Sequence, residues 1–150
     1  MTNEEMLSRV APCGLHCGKC FAYTDGDIRK AAIKMKADLG NFEPYADRFA
    51  LLLDPIFEKY RDFKLVLDYL AEASCNGCRK EKCKVYKACK VRDCALEDKK
   101  VEFCFECDEF PCDHSGFDSN LEKRSVNINK RIKEIGLEAY YKEIKDKSKY

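Results

Sequence analysis

The chain has 150 residues, of which 28 are lysine or arginine and 27 are aspartate or glutamate, so its formal net charge is +1. This length suits one ordinary domain and is short for two. No stretch has the roughly 20 apolar residues of a membrane-spanning helix, and no charged segment followed by an apolar one opens the chain. We therefore expect one cytoplasmic domain without a membrane segment, and the low net charge excludes a strong overall attraction to nucleic acid.

The first half of the chain combines a cysteine group with a helical region. Residues 1–24 contain three cysteines, and residues 25–74 carry apolar residues at helical spacing. Gly40 marks the end of the first helical run, and Asp54 followed by Pro55 marks a helix start rather than a helix interior. The apolar stripes of these runs are expected to face a core. The three runs cover residues 28–39, 45–53 and 63–73.

The second half begins with residues 75–115, which contain eight of the eleven cysteines and few large apolar side chains. A segment with so small a core needs cross-links, and a structural zinc ion supplies about 10–16 kcal/mol to the folded form. Residues 116–150 show two helical runs that meet at Gly136, followed by a lysine-rich tail, 145–149, that we expect to be solvated. The predicted fold class is mainly α: a small helical domain, 1–150, with an irregular cysteine-rich block of zinc knuckles.

The cysteines are the feature that points to chemistry. Several pairs are separated by two residues, which is the spacing of a zinc knuckle, where a tight turn brings two thiolates to one ion. An odd number of cysteines without an export signal argues against a disulfide framework, because disulfides do not persist in a reducing compartment. We predict that all eleven are metal ligands: Cys13, Cys17, Cys20, Cys75, Cys78, Cys83, Cys89, Cys94, Cys104, Cys107 and Cys112.

The number of ions and the pairing of the ligands stay open at this point. Zinc takes four tetrahedral ligands, so eleven cysteines supply two full sites with three thiolates left over. A third site would need a histidine, either His16 or His114, or a group from outside. We therefore predict two or three structural zinc ions per chain. Gly77 is expected to support its knuckle, because glycine adopts positive φ and turns backbone N–H groups toward sulfur.

An iron–sulfur cluster is the alternative cofactor. Cys13, Cys17 and Cys20 have the C-x3-C-x2-C spacing by which radical S-adenosylmethionine enzymes hold a cluster. Those enzymes build the motif into a partial (β/α) barrel, whereas the runs that follow Cys20 are helical without intervening strands. The alternative function is therefore an iron–sulfur or redox protein of an anaerobe.

Nucleic-acid binding and catalysis receive less support. Residues 79–100 contain nine basic and four acidic residues, but ligating thiolates would offset most of this charge, and no DNA-reading finger with two closing histidines is present. Three thiolates would weaken the power of a zinc ion to acidify water, and no nearby carboxylate stands at a fixed spacing as a general base. We interpret the chain as a binding or interaction module for an unknown partner. A nucleic-acid-binding zinc module is the second alternative, and an enzyme is the less favoured class.

Four segments taken together resemble a known family. They are Cys13-Gly14-Leu15-His16-Cys17-Gly18-Lys19-Cys20, Cys75-Asn76-Gly77-Cys78, the run from Cys89 to Cys94, and Cys104-x2-Cys107 through Phe110-Pro111-Cys112. In order and spacing, over about residues 10–115, the chain is similar to a bacterial and archaeal family known as domain of unknown function 3795. The resemblance implies a small cysteine-rich, zinc-binding domain and brings no established reaction. Cys83 fits the pattern less regularly than the other ten cysteines.

Overall fold

The computed structural model describes all residues, 1–150, and is mainly helical, which confirms the predicted fold class. Two isolated β-bridges occur but no β-strand. None of the helices is both long enough and apolar enough to cross a membrane. Short 3-10 turns and one π-helical turn, Asp93–Asp98, lie between the α-helices. The α-helices are α1 (Asn3–Arg9), α2 (Asp27–Leu39), α3 (Glu43–Leu52), α4 (Tyr60–Ala71), α5 (Ser119–Ile135) and α6 (Leu137–Ile144).

Helices from the two ends of the chain pack together. A capping box starts α1: the Glu5 N–H donates to the Thr2 hydroxyl at 3.2 Å, and the Thr2 N–H donates to the Glu5 carboxylate at 2.7 Å. Gly136 separates α5 from α6 at a φ of 81°, which confirms the predicted hinge. Helices α1, α5 and α6 bury a shared core with Phe103: Met6, Val10, Ile132, Tyr140 and Tyr141.

Helices α2, α3 and α4 correspond to the three helical runs predicted after the first cysteine group. Gly40 ends α2 with a φ of 51°, as predicted. Asp54 accepts a hydrogen bond from the Ile56 N–H at 2.8 Å and so caps the next segment. That segment, Pro55–Lys59, is a 3-10 turn that leads into α4.

The expectation that the apolar stripes of these three helices face a core is largely wrong. Only Ala32, Leu67 and Ala71 form a buried cluster between α2 and α4, with Leu39 and Leu70 partly buried against it. The reason is that α2, α3 and α4 pack mainly on one another, so the outer side of each helix has no further layer to cover it. The stripe residues left 43–68 % exposed are Met35, Tyr45, Leu52, Leu53, Phe63 and Val66.

The cysteine block docks onto the first cysteine loop through backbone hydrogen bonds. Cys75 donates its N–H to Ala22 O at 2.9 Å and accepts from the Thr24 N–H at 2.8 Å. Farther along the chain, the Cys104 N–H donates to Pro12 O at 3.1 Å. Two knuckles that are distant in sequence are thereby attached to the same short loop.

Arg79 ties this block to α1. Its Nε donates to Leu7 O at 2.8 Å and to Val10 O at 2.9 Å, where α1 ends. Its Nη2 donates to Glu102 O at 2.8 Å, and its Nη1 pairs with the Glu102 carboxylate. The guanidinium also lies 4.9 Å from the centre of the Phe103 ring. One planar side chain therefore satisfies the last carbonyls of α1 and holds residues 102 and 103 beside them.

We predict that Arg79→Lys lowers the stability of the protein. A lysine keeps the charge but cannot reach three carbonyl oxygens in the fixed directions of a guanidinium, so about 2 kcal/mol should be lost. Thermal unfolding followed by circular dichroism should show a melting temperature lowered by roughly 4–8 °C. Lys80→Arg, at the exposed neighbouring position, is the control. Equal melting temperatures for the Arg79→Lys and control proteins would contradict the role given to Arg79.

Candidate metal centres

The eleven cysteines divide between two cavities. All are free thiols, and each lines one cavity or the other. The division follows chain order, because the first seven cysteines line one cavity and the last four line the other, and the boundary falls between Cys89 and Cys94. The first cavity, called the four-cysteine cavity, is lined by Cys94, Cys104, Cys107 and Cys112. The second, called the seven-cysteine cavity, is lined by Cys13, Cys17, Cys20, Cys75, Cys78, Cys83 and Cys89.

The four thiols of the four-cysteine cavity lie close enough to influence one another. Burial, together with the neighbouring charges of Cys112, Cys94 and Cys107, raises the pKa of Cys104 to about 12. Burial likewise raises the pKa of Cys94, again with contributions from Cys112 and Cys107. A divalent cation would reverse this effect, because it stabilises the thiolate form of each ligand. Apolar side chains complete the wall: Val91, Ala95, Val101, Phe110 and Val126.

A lysine stands at the edge of the four-cysteine cavity. Lys99 lines it and forms an ion pair with Glu109, with 2.5 Å between Nζ and Oε1. The hydrogen bond to Glu109 raises the pKa of Lys99, and the charges of Cys107 and Cys94 act in the same direction. This ammonium group would offset part of the negative charge of four ligating thiolates.

Cys78 interacts with two other cysteines of the seven-cysteine cavity. Its S–H is within hydrogen-bond reach of both Cys17 and Cys83. The hydrogen bond with Cys78 lowers the pKa of Cys17 and, in the same way, the pKa of Cys83, while the pKa of Cys78 itself is raised. Three sulfurs from three different turns are thus adjacent in space.

Backbone N–H groups also point at sulfur in this cavity. The Gly77 N–H donates to Cys75 Sγ at 3.5 Å, and the Tyr86 N–H donates to Cys83 Sγ at 3.3 Å. Gly77 has a φ of 94°, and a Cβ there would lie 3.4 Å from both Ser8 O and the Tyr23 ring. This confirms the predicted support of the knuckle by a glycine. Such N–H groups stabilise the thiolate form that a metal requires.

Helix α5 connects the loops that form the two cavities. The Ser125 hydroxyl donates to Cys13 O at 3.0 Å. The Asn129 amide Nδ2 donates to Pro12 O at 3.4 Å, and its Oδ1 accepts from the Phe105 N–H at 3.1 Å. Cys104, which lines the four-cysteine cavity, also packs against the apolar cluster that contains Cys13. The two cavities therefore share a wall held in place by α5.

The last residues of the chain close over the seven-cysteine cavity. Arg124 donates from Nη2 to Lys149 O at 2.6 Å, and the Tyr150 hydroxyl accepts from the Phe21 N–H at 3.2 Å. The Tyr150 hydroxyl also lies 3.7 Å from Cys20 Sγ, to which it donates. The expectation of a fully solvated tail is wrong at Lys149, which lines the cavity and is half-buried because these contacts draw it back.

The two histidines occupy different surroundings. Both ring nitrogens of His16 are buried without a hydrogen-bond partner, and its ring meets Tyr141 edge-on at 5.3 Å. Burial lowers the pKa of His16 to about 4, with help from Lys19 and Arg9, and the residue does not line the seven-cysteine cavity. His114 lines the four-cysteine cavity, but its side chain is 70 % exposed beside Asp113.

The structure gathers the sulfurs without arranging them as a finished coordination sphere. No group of three or more histidine, cysteine, aspartate or glutamate side chains is placed to hold a metal ion directly. The donor chemistry of both cavities nevertheless fits a soft cation, because their cysteines outnumber every other type of donor. Binding would require thiol side chains to rotate toward a common point, and a χ1 rotation moves a sulfur without moving the backbone.

Sequence comparison places the cysteine pattern in a known family. Residues 9–116 match the sequence profile described as protein of unknown function (DUF3795), which is more than two thirds of the chain. The chain belongs to the DUF3795 family. The resemblance inferred from the four cysteine segments is thereby confirmed, and the matched range contains all eleven cysteines. No curated protein and no solved structure matches the chain.

Several residues around the cavities carried no signal in the sequence. In the sequence they are ordinary helix, loop or tail residues: Lys99, Lys149, Tyr150, Ser125 and Asn129. Helix α5, which carries two of them, lies outside the range that matches the DUF3795 family. Their roles depend on contacts such as Asn129 with Pro12, 117 positions apart in the chain. A pattern of local spacing does not report contacts of this kind.

Proposed function

We propose that this member of the DUF3795 family binds zinc ions through thiolates in both cavities and that these ions are structural. The observation that supports the proposal is the division of eleven free cysteines into one set of four and one set of seven, each lining a single cavity. Four thiolates fill the coordination sphere of tetrahedral zinc and leave no position for water or substrate. Ions held in this way stabilise a fold rather than catalyse a reaction.

Within this proposal, the metal-stabilised domain is a binding module for another protein. The support comes from the exposed apolar side chains around the end of α3, where Leu51 is 88 % exposed and Leu52 and Leu53 follow it. The basic residues of 79–100 give less support to nucleic acid as a partner, because several are paired with carboxylates. These pairs include Lys82–Asp93 at 3.1 Å, Lys84–Glu81 at 3.3 Å and Arg92–Glu97 at 2.6 Å.

Elemental analysis of protein purified without oxygen tests the proposal. We expect a colourless protein with about two to three zinc ions per chain. Cys107→Ser should lower the zinc content by about one ion, because it removes a ligand of the four-cysteine cavity. Lys82→Ser, an exposed position in the same block, is the control and should keep the full content. Purified, folded protein that contains no transition metal would overturn the proposal.

An iron–sulfur cluster is the second candidate, and one observation favours it. Seven cysteines in one cavity exceed the four that a single zinc ion uses, and clusters are likewise held by cysteine thiolates. The same anaerobic preparation separates the two candidates, because a cluster absorbs visible light and brings iron and inorganic sulfide. A brown protein with iron in place of zinc would establish this alternative.

A further inference from the structure

A further cavity, of about 520 Å³, lies between the first cysteine loop, helices α5 and α6 and the residues that follow α6. Its lining includes three cationic side chains and neither a carboxylate nor a cysteine. The cations are Arg124 of α5 and, after α6, Lys147 and Lys149. We call this space the basic cavity. Its volume lies within the range of pockets that hold small molecules.

The three cations have no carboxylate partner within the protein. None of them forms an ion pair, although acidic residues are almost as numerous in the chain as basic ones. Two carboxylates close to Lys147 in the sequence are engaged elsewhere. Glu143 pairs with Arg131 at 2.5 Å, and Asp146 lies 4.0 Å from the Lys145 ammonium. Positive charges without an internal counter-charge create a local potential that favours an anion.

Arg124 and Lys149 form part of the wall between the basic cavity and the seven-cysteine cavity, because both residues line both spaces. Arg124 Nη2 donates to Lys149 O at 2.6 Å, which fixes the returning chain against α5. Lys147 lines only the basic cavity of the two. Thiolates in the neighbouring cavity would offset part of the charge of Arg124 and Lys149, whereas the charge of Lys147 stays available to a ligand.

Apolar side chains make up much of the remaining lining: Leu15, Ile128, Tyr140 and Ile144. His16 belongs to the same lining, and neither of its ring nitrogens has a hydrogen-bond partner within the protein. Pockets for small molecules combine an apolar surface with a few polar groups that fix the orientation of the ligand. The basic cavity therefore suits a ligand with an apolar part and an anionic group.

We propose that the basic cavity binds a small organic phosphate, whose phosphate group contacts Arg124 and Lys147 and whose apolar part packs on Leu15 and Ile128. A phosphate monoester carries a charge of about −1.5 to −2 near pH 7, which suits several cations better than the single charge of a carboxylate. A guanidinium can also donate two parallel hydrogen bonds to phosphate oxygens. Because no cysteine lines this cavity, the inference goes beyond the proposed function and does not depend on bound zinc.

Titration of the full chain with phenyl phosphate, followed by NMR of the histidine rings, tests the proposal. The chain has two histidines: His16 lines the basic cavity, and His114 lines the four-cysteine cavity and serves as the internal control. We expect the His16 signals to shift and the His114 signals to stay in place. Inorganic phosphate, which lacks an apolar part, should bind at least about tenfold more weakly.

Benzoate, which has the ring but only one negative charge, should also bind more weakly than phenyl phosphate. Tighter binding of benzoate would overturn the assignment of the anion as a phosphate. Phenyl phosphate that leaves the His16 signals in place at millimolar concentration, or that moves only those of His114, would overturn the site itself.

Two exposed lysines provide a matched pair of variants. Lys147→Gln removes a cation from the basic cavity and should raise the dissociation constant of phenyl phosphate about tenfold. Lys145→Gln, two positions away and outside the lining, should leave it unchanged. Neither change is expected to disturb folding, because both side chains are exposed. Equal affinities of the two variants would contradict the proposal. Zinc content, measured in parallel, tests the proposed function separately.

Discussion

Removal of the zinc ions that we propose for the two cavities is expected to unfold the cysteine block while leaving most of the helical signal of α2, α3 and α4. Between residues 75 and 115 the side chains that become buried are few: Cys75, Val91, Ala95 and Phe103. Apolar burial on this scale does not offset the conformational entropy of some forty residues, whereas structural zinc contributes about 10–16 kcal/mol per ion to the folded form. Folding of the block and binding of metal should therefore be one equilibrium.

Circular dichroism and limited proteolysis during chelation measure this effect. New cleavage sites should appear between residues 75 and 115 and spare α2 and α4, which bury Ala32, Leu67 and Ala71 against each other. The control is the same chelator saturated with zinc beforehand, which should change neither signal. If the metal is shown to have left and both the spectrum and the cleavage pattern stay the same, the structural role of the ions is wrong.

The second large effect is expected from Asn129→Leu, which we predict to lower the stability of the metal-loaded protein by about 3 kcal/mol. Asn129 is fully buried, and its amide pairs with Pro12 O and the Phe105 N–H, next to cysteines of both cavities. A leucine of similar volume fills the space but leaves the Phe105 N–H without a partner and removes one of the two hydrogen bonds that Pro12 O accepts, the other coming from the Cys104 N–H. The melting temperature should fall by roughly 6–12 °C.

Asn127→Leu provides the matched control, because Asn127 lies on the same helix and is exposed. It makes the same asparagine-to-leucine substitution, so the change in helix propensity is the same in both variants. The melting temperature of this control should change little. Metal content should be measured for both variants. Asn129→Leu protein as stable as the control would show that α5 does not hold the cysteine loops in the way that its hydrogen bonds indicate.

Local signals in the sequence predicted the helices well. Gly40, Gly136 and the Asp54–Pro55 pair mark helix boundaries because their effects act within one turn of backbone. The burial of the helices was harder to predict. Met35 and Val66 follow helical spacing yet remain exposed, because periodicity indicates a face and does not reveal whether another element covers it.

The sequence by itself determined the helical class, the membership of the DUF3795 family and the knuckle at Gly77, because propensity, spacing and a positive φ are properties of short segments. Only the tertiary structure decided that Cys94 groups with Cys104, Cys107 and Cys112 while Cys89 joins the other six. That division depends on α5 joining Pro12 to Phe105 and on the return of Tyr150 to Cys20. Contacts between segments about a hundred positions apart are set by packing of the whole chain, on which local spacing has no influence.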